Sequence, residues 1–538
     1  MTVQPGLRKY HSAVWDEPVV MEMGRPGRRG LVFGEPEQEV SSLVGSAEEL
    51  VPAGMRRREP AGLPELSEHE VLRHYLHLSQ ETLGMIGISL FGTCTMKYNP
   101  RVNELIAARP EIAETHPYQD EESLQGILEL LYGCDLMLRE LSGMDQFSFQ
   151  AGGGAHGAYT NACLTRAYHA ARGELRQRDQ VVVTIQTHPC GPATAAAAGF
   201  EVVTLMLEEN GYPSVEALRA AVSERTAALV VNNPDDMGIY DPHMKKWIEI
   251  VHDAGGLCFY DHANFNGVMG KIRARELGFD ACMFMLHKTF GAPKGGLGPA
   301  VGAYGCTAEL ARFLPGPIVR FDGERYGLDS NRPDGMDKVR EFWGNVPQVV
   351  KAYSWLRAMG AEGIHEARDL SVLANNYMEK KMLGIRGVTR SNPENAQWRM
   401  EMTRYSLETL ERDTGVTAHD VQNRMVDFGI DAPWLSHEPW LVPEPITPEA
   451  GETWSKEELD YWVAVLEEVS REAYTNPEIV KTAPHNQAVH QLDMRHLEDP
   501  ASWAMTWRAY QKKRAYARAE EPAGVADRST PTASRTSR

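Results

Sequence analysis

One lysine at the end of an apolar run is the residue of this chain with the plainest chemical use. The run Cys282-Met283-Phe284-Met285-Leu286 reads as a buried strand and ends in His287-Lys288-Thr289, followed by a turn rich in glycine. An ammonium at the mouth of an apolar strand loses solvation, which favours the free amine, and a free amine forms Schiff bases with aldehydes. Upstream, Leu257-Cys258-Phe259-Tyr260 is a second apolar run and ends in Asp261. A lysine that holds an aldehyde and an acid that keeps a pyridine nitrogen protonated are the two groups that let pyridoxal phosphate act as an electron sink. The competing reading is a surface lysine and a turn aspartate, both common at strand ends of α/β chains.

A third feature suits an anion. Gln146-Phe147-Ser148-Phe149 reads as a strand and leads into Gly152-Gly153-Gly154-Ala155-His156-Gly157, with a helix expected to about residue 171. A strand, a glycine turn and a helix N-terminus make a phosphate cradle, because unbonded N–H groups at Gly154 and Ala155 point at the anion and the helix dipole favours it. His156 fits stacking on a planar ring; its alternative is a turn residue bonded to backbone. Gly152, Gly154 and Gly157 also match the dinucleotide motif GxGxxG. The next strand, 181–185, ends in Gln186-Thr187, without the acid that a ribose needs.

These groups need a sheet to gather them. Strands are expected over 200–206, 229–231, 257–260 and 282–286, with helices over 214–222 and 243–254 between them. That alternation argues for an α/β chain with a mostly parallel sheet and crossover helices, whose ligand lies beyond the carboxyl ends of the strands. Gly154, His188, Asn233, Asp261 and Lys288 all fall just after such ends. The catalytic candidates are Lys288, His156 and His188. The cofactor-binding candidates are Lys288, Asp261, His156, Gly154, Ala155, Asn233 and His287. Asn233 is expected to offer its amide to the ring 3-oxygen, or else to form a turn with Pro234.

A further strand over 300–305 is expected near the sheet edge. The connection 306–345 carries Arg320, Arg325 and Arg332, which could grip a carboxylate or simply be solvated. The expected organisation is an N-terminal arm and helical segment over 1–115, a large domain over 116–330, a smaller α+β domain over 331–495 and a disordered tail over 515–538. Within the first part, 68–82 reads as a helix with a stripe of Leu72, Tyr75, Leu76 and Leu78, and 91–100 as a polar loop around Cys94.

The chain has 538 residues, enough for two or three domains, and a formal charge of −19, which argues against non-specific nucleic-acid binding. Its 7 cysteines are scattered, with no CxxC pair, so no zinc ribbon or other metal site is expected and a reducing compartment is. No apolar stretch suits a signal peptide or a membrane span, and a cytoplasmic location is expected.

Motifs spread from about residue 20 to about residue 495 carry a resemblance. They are Arg25-Pro26-Gly27-Arg28-Arg29-Gly30, Cys94-Thr95-Met96-Lys97-Tyr98-Asn99-Pro100, Ala155-His156-Gly157, Asp261 with Ala263-Asn264, and His287-Lys288-Thr289-Phe290. Asp322-Gly323-Glu324-Arg325-Tyr326, Ser455-Lys456-Glu457 and Ala483-Pro484-His485-Asn486 belong with them. Together they resemble the glycine cleavage system P-proteins, and among these subunit 2 of the split form. The resemblance implies a fold-type-I pyridoxal-phosphate enzyme of the aminotransferase-like kind. Lys288 would be its Schiff-base lysine, Asp261 the partner of the pyridinium and His156 the residue stacked on the ring. It further implies decarboxylation of glycine, transfer of the aminomethyl group to the lipoyl arm of an H-protein, and an oligomer with a related subunit 1.

The chain departs from the family pattern beside these residues. Asn233-Pro234-Asp235-Asp236 stands for Asn-Pro-Asn-Thr, Asp261-His262-Ala263-Asn264 for Asp-Gly-Ala-Asn, and Thr187-His188-Pro189-Cys190 for Ala-His-Gly-Thr. After the lysine, Gly291-Ala292-Pro293-Lys294 stands for Ser-Thr-Pro-His. His262, Asp235, Asp236 and Lys294 are therefore expected to bring charge and bulk near the substrate. A diverged decarboxylase or lyase of another amino acid, and a non-catalytic partner subunit, stay open as alternatives.

Overall fold

The alternating apolar runs build a seven-stranded sheet: β1 (Gln146–Ala151), β2 (Gln180–Thr184), β3 (Glu201–Leu205), β4 (Thr226–Asn232), β5 (Leu257–His262), β6 (Ala281–Met285) and β7 (Gly302–Cys306). The computed structural model describes all residues except 1–4, 29, 31–33, 60, 83–86, 91–98, 293–299, 432–434, 436–440, 489–490, 492–498 and 521–538, and of 47, 502 and 514–520 the backbone alone. The strand order is β1-β7-β6-β5-β4-β2-β3. Strands β2 to β6 pair in parallel, and β7 runs antiparallel to both β1 and β6.

The place of β7 corrects the expectation of an edge strand. It lies inside the sheet, with β1 beyond it. Its small residues look like edge residues but serve close packing: a Cβ on Gly305 would lie 2.3 Å from the Phe147 ring of β1.

Strands β4 and β6 are buried along their whole length, as expected of parallel strands covered on both faces. One face, with Val231, Tyr260 and Phe284, packs against helices Gln125–Ser142, Met244–Asp253 and the first part of Val346–Met382. The other face, with Val230, Phe259, Met283 and Met285, packs against helices Gly154–Ala171 and Cys190–Ala197.

Helix Val346–Met382 bends at Gly360, which has a φ of 61°, and links two cores. Its Val349, Trp355 and Leu356 belong to the sheet core, and its Met378 and Met382 to a second core built around Leu410, Val421 and Trp462. No clean break falls at residue 331. The second core contains a three-stranded antiparallel sheet of Thr389–Arg390, Tyr405–Ser406 and Pro445–Ile446. It also takes Ile88 and Leu90 from the N-terminal segment, and Ile88 pairs with Ile430.

Residues 1–488 form one compact unit. Residues 489–538 form another, in which the described part holds a short turn, Pro500–Ser502, and helix Trp507–Glu520. The tail expected over 515–538 thus begins inside a helix, and 521–538 lie outside the described residues. Among the described residues no helix is long and apolar enough to cross a membrane.

Candidate active site

Strand alternation decides which side chains meet. Successive residues of a strand face opposite sides of the sheet. On β5 this sends Asp261 to the side of Phe259 and Met283, and His262 to the side of Tyr260 and Phe284. Asp261 is 4 % exposed and its Oδ1 accepts the Ala263 N–H at 2.9 Å. Burial pushes its carboxyl up to about 6, the Lys288 charge and the Ala263 N–H oppose this, and Asp236 adds to it.

Lys288 follows β6, is buried, and its N–H donates to the Met285 carbonyl at 3.0 Å, closing the turn that ends the strand. Its neighbour His287 is held down to about 4 by burial and by the Lys288 charge. Among the described residues, His287 Nδ1 and Thr289 Oγ1 are buried without a hydrogen-bond partner.

The glycine turn after β1 lies over the same strand end. A Cβ on Gly154 would touch the Met285 side chain at 3.2 Å, and one on Gly157 would reach Met283 Sδ at 2.0 Å. These glycines are set by close approach of helix to strand. No side chain caps helix Gly154–Ala171, whose first amide groups are thus available to an anion. His156 Nδ1 accepts the Gly152 N–H at 3.1 Å, so its ring is held against the turn and its proton sits on Nε2. Ala155 is exposed at the turn.

His188 Nδ1 accepts the Cys190 N–H at 3.1 Å and shapes the start of helix Cys190–Ala197. Cys190 lies within electrostatic reach of Asp261, Lys288 and Asp236. Burial first, then Asp261, pushes its thiol up to about 12, so it is no thiolate. The turn after β2 therefore reaches the same pocket.

Two expectations are corrected by the same alternation. Asn233 is not turned to the site: its amide donates to the Asp241 carbonyl at 3.0 Å and accepts the Asp241 N–H at 2.8 Å, bracing the loop. Its neighbour Asn232 pairs with Asp261 across β4 and β5 and shares its face. His262 brings no charge to the site. It stacks on Phe284 at 5.1 Å and lies 3.8 Å from the Tyr260 ring, and burial drives it down to about 3.

Of the added acids, Asp235 is turned into its own loop, with Oδ1 accepting from Met237 at 2.8 Å and Ile239 at 2.9 Å. Asp236 faces the site. Loop 91–98 with Cys94, and Lys294, lie outside the described residues. The three arginines of the long connection are engaged elsewhere: Arg320 and Arg332 with Asp329, Arg325 with Glu122. Asp236 is one of the residues expected near the substrate; Asn232, Asn264, Cys190 and Thr289 are the site neighbours that are not among the candidate site residues. Their common signal is a position within three residues of an already marked strand end.

The donor set fits pyridoxal phosphate. It offers an amine for the aldehyde, a buried acid for the ring nitrogen, an uncapped helix N-terminus for the phosphate, and orphaned buried polar atoms on His287 and Thr289 around the lysine.

Comparison with known proteins points the same way. Residues 38–331 match the family described as Glycine cleavage system P-protein, and residues 367–490 match Glycine dehydrogenase, C-terminal domain. A protein of Thermococcus kodakarensis named "Probable glycine dehydrogenase (decarboxylating) subunit 2" is 43 % identical over 507 residues, covering 94 % of this chain and 98 % of its own. One of the same name from Caldanaerobacter subterraneus is 39 % identical, covering 90 % and 97 %. Among solved structures, a glycine decarboxylase (P-protein) of the glycine cleavage system in inhibitor-bound form has a TM-score of 0.68 at 22 % identity, covering 81 % of this chain and 99 % of its own. A NifS-like protein has a TM-score of 0.54 at 16 % identity, covering 71 % and 99 %.

Proposed function

This chain belongs to the glycine cleavage system P-protein family, and from that premise we propose that it acts as subunit 2 of a decarboxylating glycine dehydrogenase, with pyridoxal phosphate as cofactor. The observation that carries the reading is the placement of Lys288 and Asp261 at the carboxyl ends of two adjacent strands, beneath an uncapped helix N-terminus. The cofactor, when bound, supplies an aldehyde for the substrate amine and a ring that accepts the electron pair left by the departing carboxylate.

The chain's own residues do the rest. Lys288 Nζ would hold the aldehyde carbon and, once released by the substrate amine, move a proton near the glycine α-carbon. Asp261 would keep a proton on the ring nitrogen. Gly154 and Ala155 would bind the phosphate through their N–H groups, with His287 and Thr289 adding polar atoms. His156 would lie against the ring, and His188, with Nδ1 already used, would act only through Nε2. Burial of Asp261, His287, Lys288 and Thr289 would keep water from the reacting carbon. The aminomethyl group would pass to the lipoyl disulfide of an H-protein, with a subunit 1 homologue completing the assembly.

Exchange of label between bicarbonate and the glycine carboxyl group tests this. Exchange is expected with lipoylated H-protein and a subunit 1 homologue present, and none without H-protein. Asp236 and Cys190, which depart from the family pattern and face the site, favour one second reading: a decarboxylase or lyase of another amino acid. Exchange or turnover with another amino acid but not glycine would support it. A non-catalytic subunit is disfavoured by the joint presence of Lys288, Asp261 and His156.

A further inference from the structure

The loop after β4 carries a buried carboxylate that the reaction above does not use. Asp236 is 2 % exposed. Its Oδ1 accepts from Asn264 Nδ2 at 2.9 Å and from Asn232 Nδ2 at 3.4 Å, while its Oδ2 has no partner among the described residues. A carboxylate only accepts hydrogen bonds, so both amides must present their nitrogens to it. Their own Oδ1 atoms are also buried without a donor among the described residues. The result is a nest in which Asp236 Oδ2 and the two amide oxygens lack a donor among the described residues.

The nest is fixed next to Asp261 by two independent ties. Asn232 is in register with Asp261 across the β4–β5 ladder, and Asn264 lies three residues beyond Asp261 on the same connection. Position 236 is also one where the chain departs from the Asn-Pro-Asn-Thr pattern. The preceding Asp235 is turned into its own loop, so only Asp236 adds charge on this face.

Resting on the pyridoxal-phosphate reading, we propose that Asp236 is a positioning residue for the cofactor's charge. Asn232 and Asn264 hold its carboxylate beside Asp261, and the two acids together keep the Lys288-bound cofactor protonated to higher pH than Asp261 alone. The titratable groups within its electrostatic reach are Asp261 on β5, Cys190 at the start of its helix and Asp235 on the same loop, and Asp261 and Cys190 also feel the Lys288 charge. Asp236 raises both Asp261 and the Cys190 thiol, which places its influence inside the site. A negative charge near a protonated nitrogen favours the proton, and removing it releases the proton at lower pH.

The test is a pH titration of the visible absorbance band of the holoenzyme, together with the cofactor dissociation constant. Asp236→Asn is expected to lower the titration midpoint by about one pH unit and to weaken cofactor binding about tenfold. Asp236→Glu should recover part of the shift. Asn264→Ala, which loosens the hold on Asp236, should move the midpoint in the same direction by less. A midpoint unchanged in both Asp236→Asn and Asn264→Ala overturns the proposal. A wild-type protein with no band that depends on Lys288 overturns the cofactor reading itself, and the proposal with it.

Discussion

Asp261 illustrates how a site residue is expensive until its partner arrives. Its carboxyl, near 3.8 when exposed, is pushed up to about 6 in the cofactor-free fold. Between those values the folded state binds the proton more tightly than the unfolded state, so stability falls as pH rises through about 4 to 6. Above that window the whole penalty is present, on the order of 3 kcal/mol. Asp261→Asn is therefore expected to stabilise the cofactor-free protein above pH 6, with the gain gone at pH 4, and to weaken cofactor binding. Denaturation of both proteins across pH 4–8, with and without cofactor, checks this. Lys288 and Asp261 were legible in the chain because each ends an apolar run. Asn232 was not legible as a site neighbour, because the side of the pleat on which a residue falls depends on strand register, and register is not written in one strand alone.

Alternation along β5 gives the clearest test at the level of elements. His262 packs in an aromatic core with both ring nitrogens unpartnered among the described residues. Held down to about 3, it stays neutral, and the fold loses stability as pH falls below the ordinary histidine range near 6.5. His262→Phe is expected to be neutral or to stabilise by about 1–2 kcal/mol near pH 5, and to leave glycine exchange intact. Loss of exchange would place His262 back at the site.

The loop after β4 is equally constrained. Gly238 has a φ of 76°, and a Cβ there would lie 1.9 Å from the Met402 carbonyl oxygen. Gly238→Ala is expected to destabilise by about 2–3 kcal/mol, read from a denaturant titration. The alternating elements were legible from apolar periodicity. The interior place of β7 was not, because its glycines signal weak strand propensity when read alone and close packing only beside Phe147.

The first compact unit is closed by its ends. The Tyr10 N–H donates to the Asp427 carbonyl at 2.9 Å and the Ser12 N–H to the Asn486 carbonyl at 3.0 Å, while the Trp15 ring stacks on His77 at 4.0 Å. The N-terminal arm is thus stitched to the second core, which also contains Ile88 and Leu90. Deleting residues 1–16 is expected to lower the melting temperature by a few degrees, with the cofactor spectrum unchanged, because no site residue lies there. Long-range pairing of this kind has no local signature, which is why the partners of the N-terminal arm were not legible in the chain.

The central claim joins this scaffold to its chemistry, and the absorbance spectrum of the purified protein tests it most directly. With pyridoxal phosphate supplied, a visible band is expected in the wild type, absent in Lys288→Ala and altered on adding glycine. No band in the wild type, or a band that survives in Lys288→Ala and ignores glycine, would contradict the account.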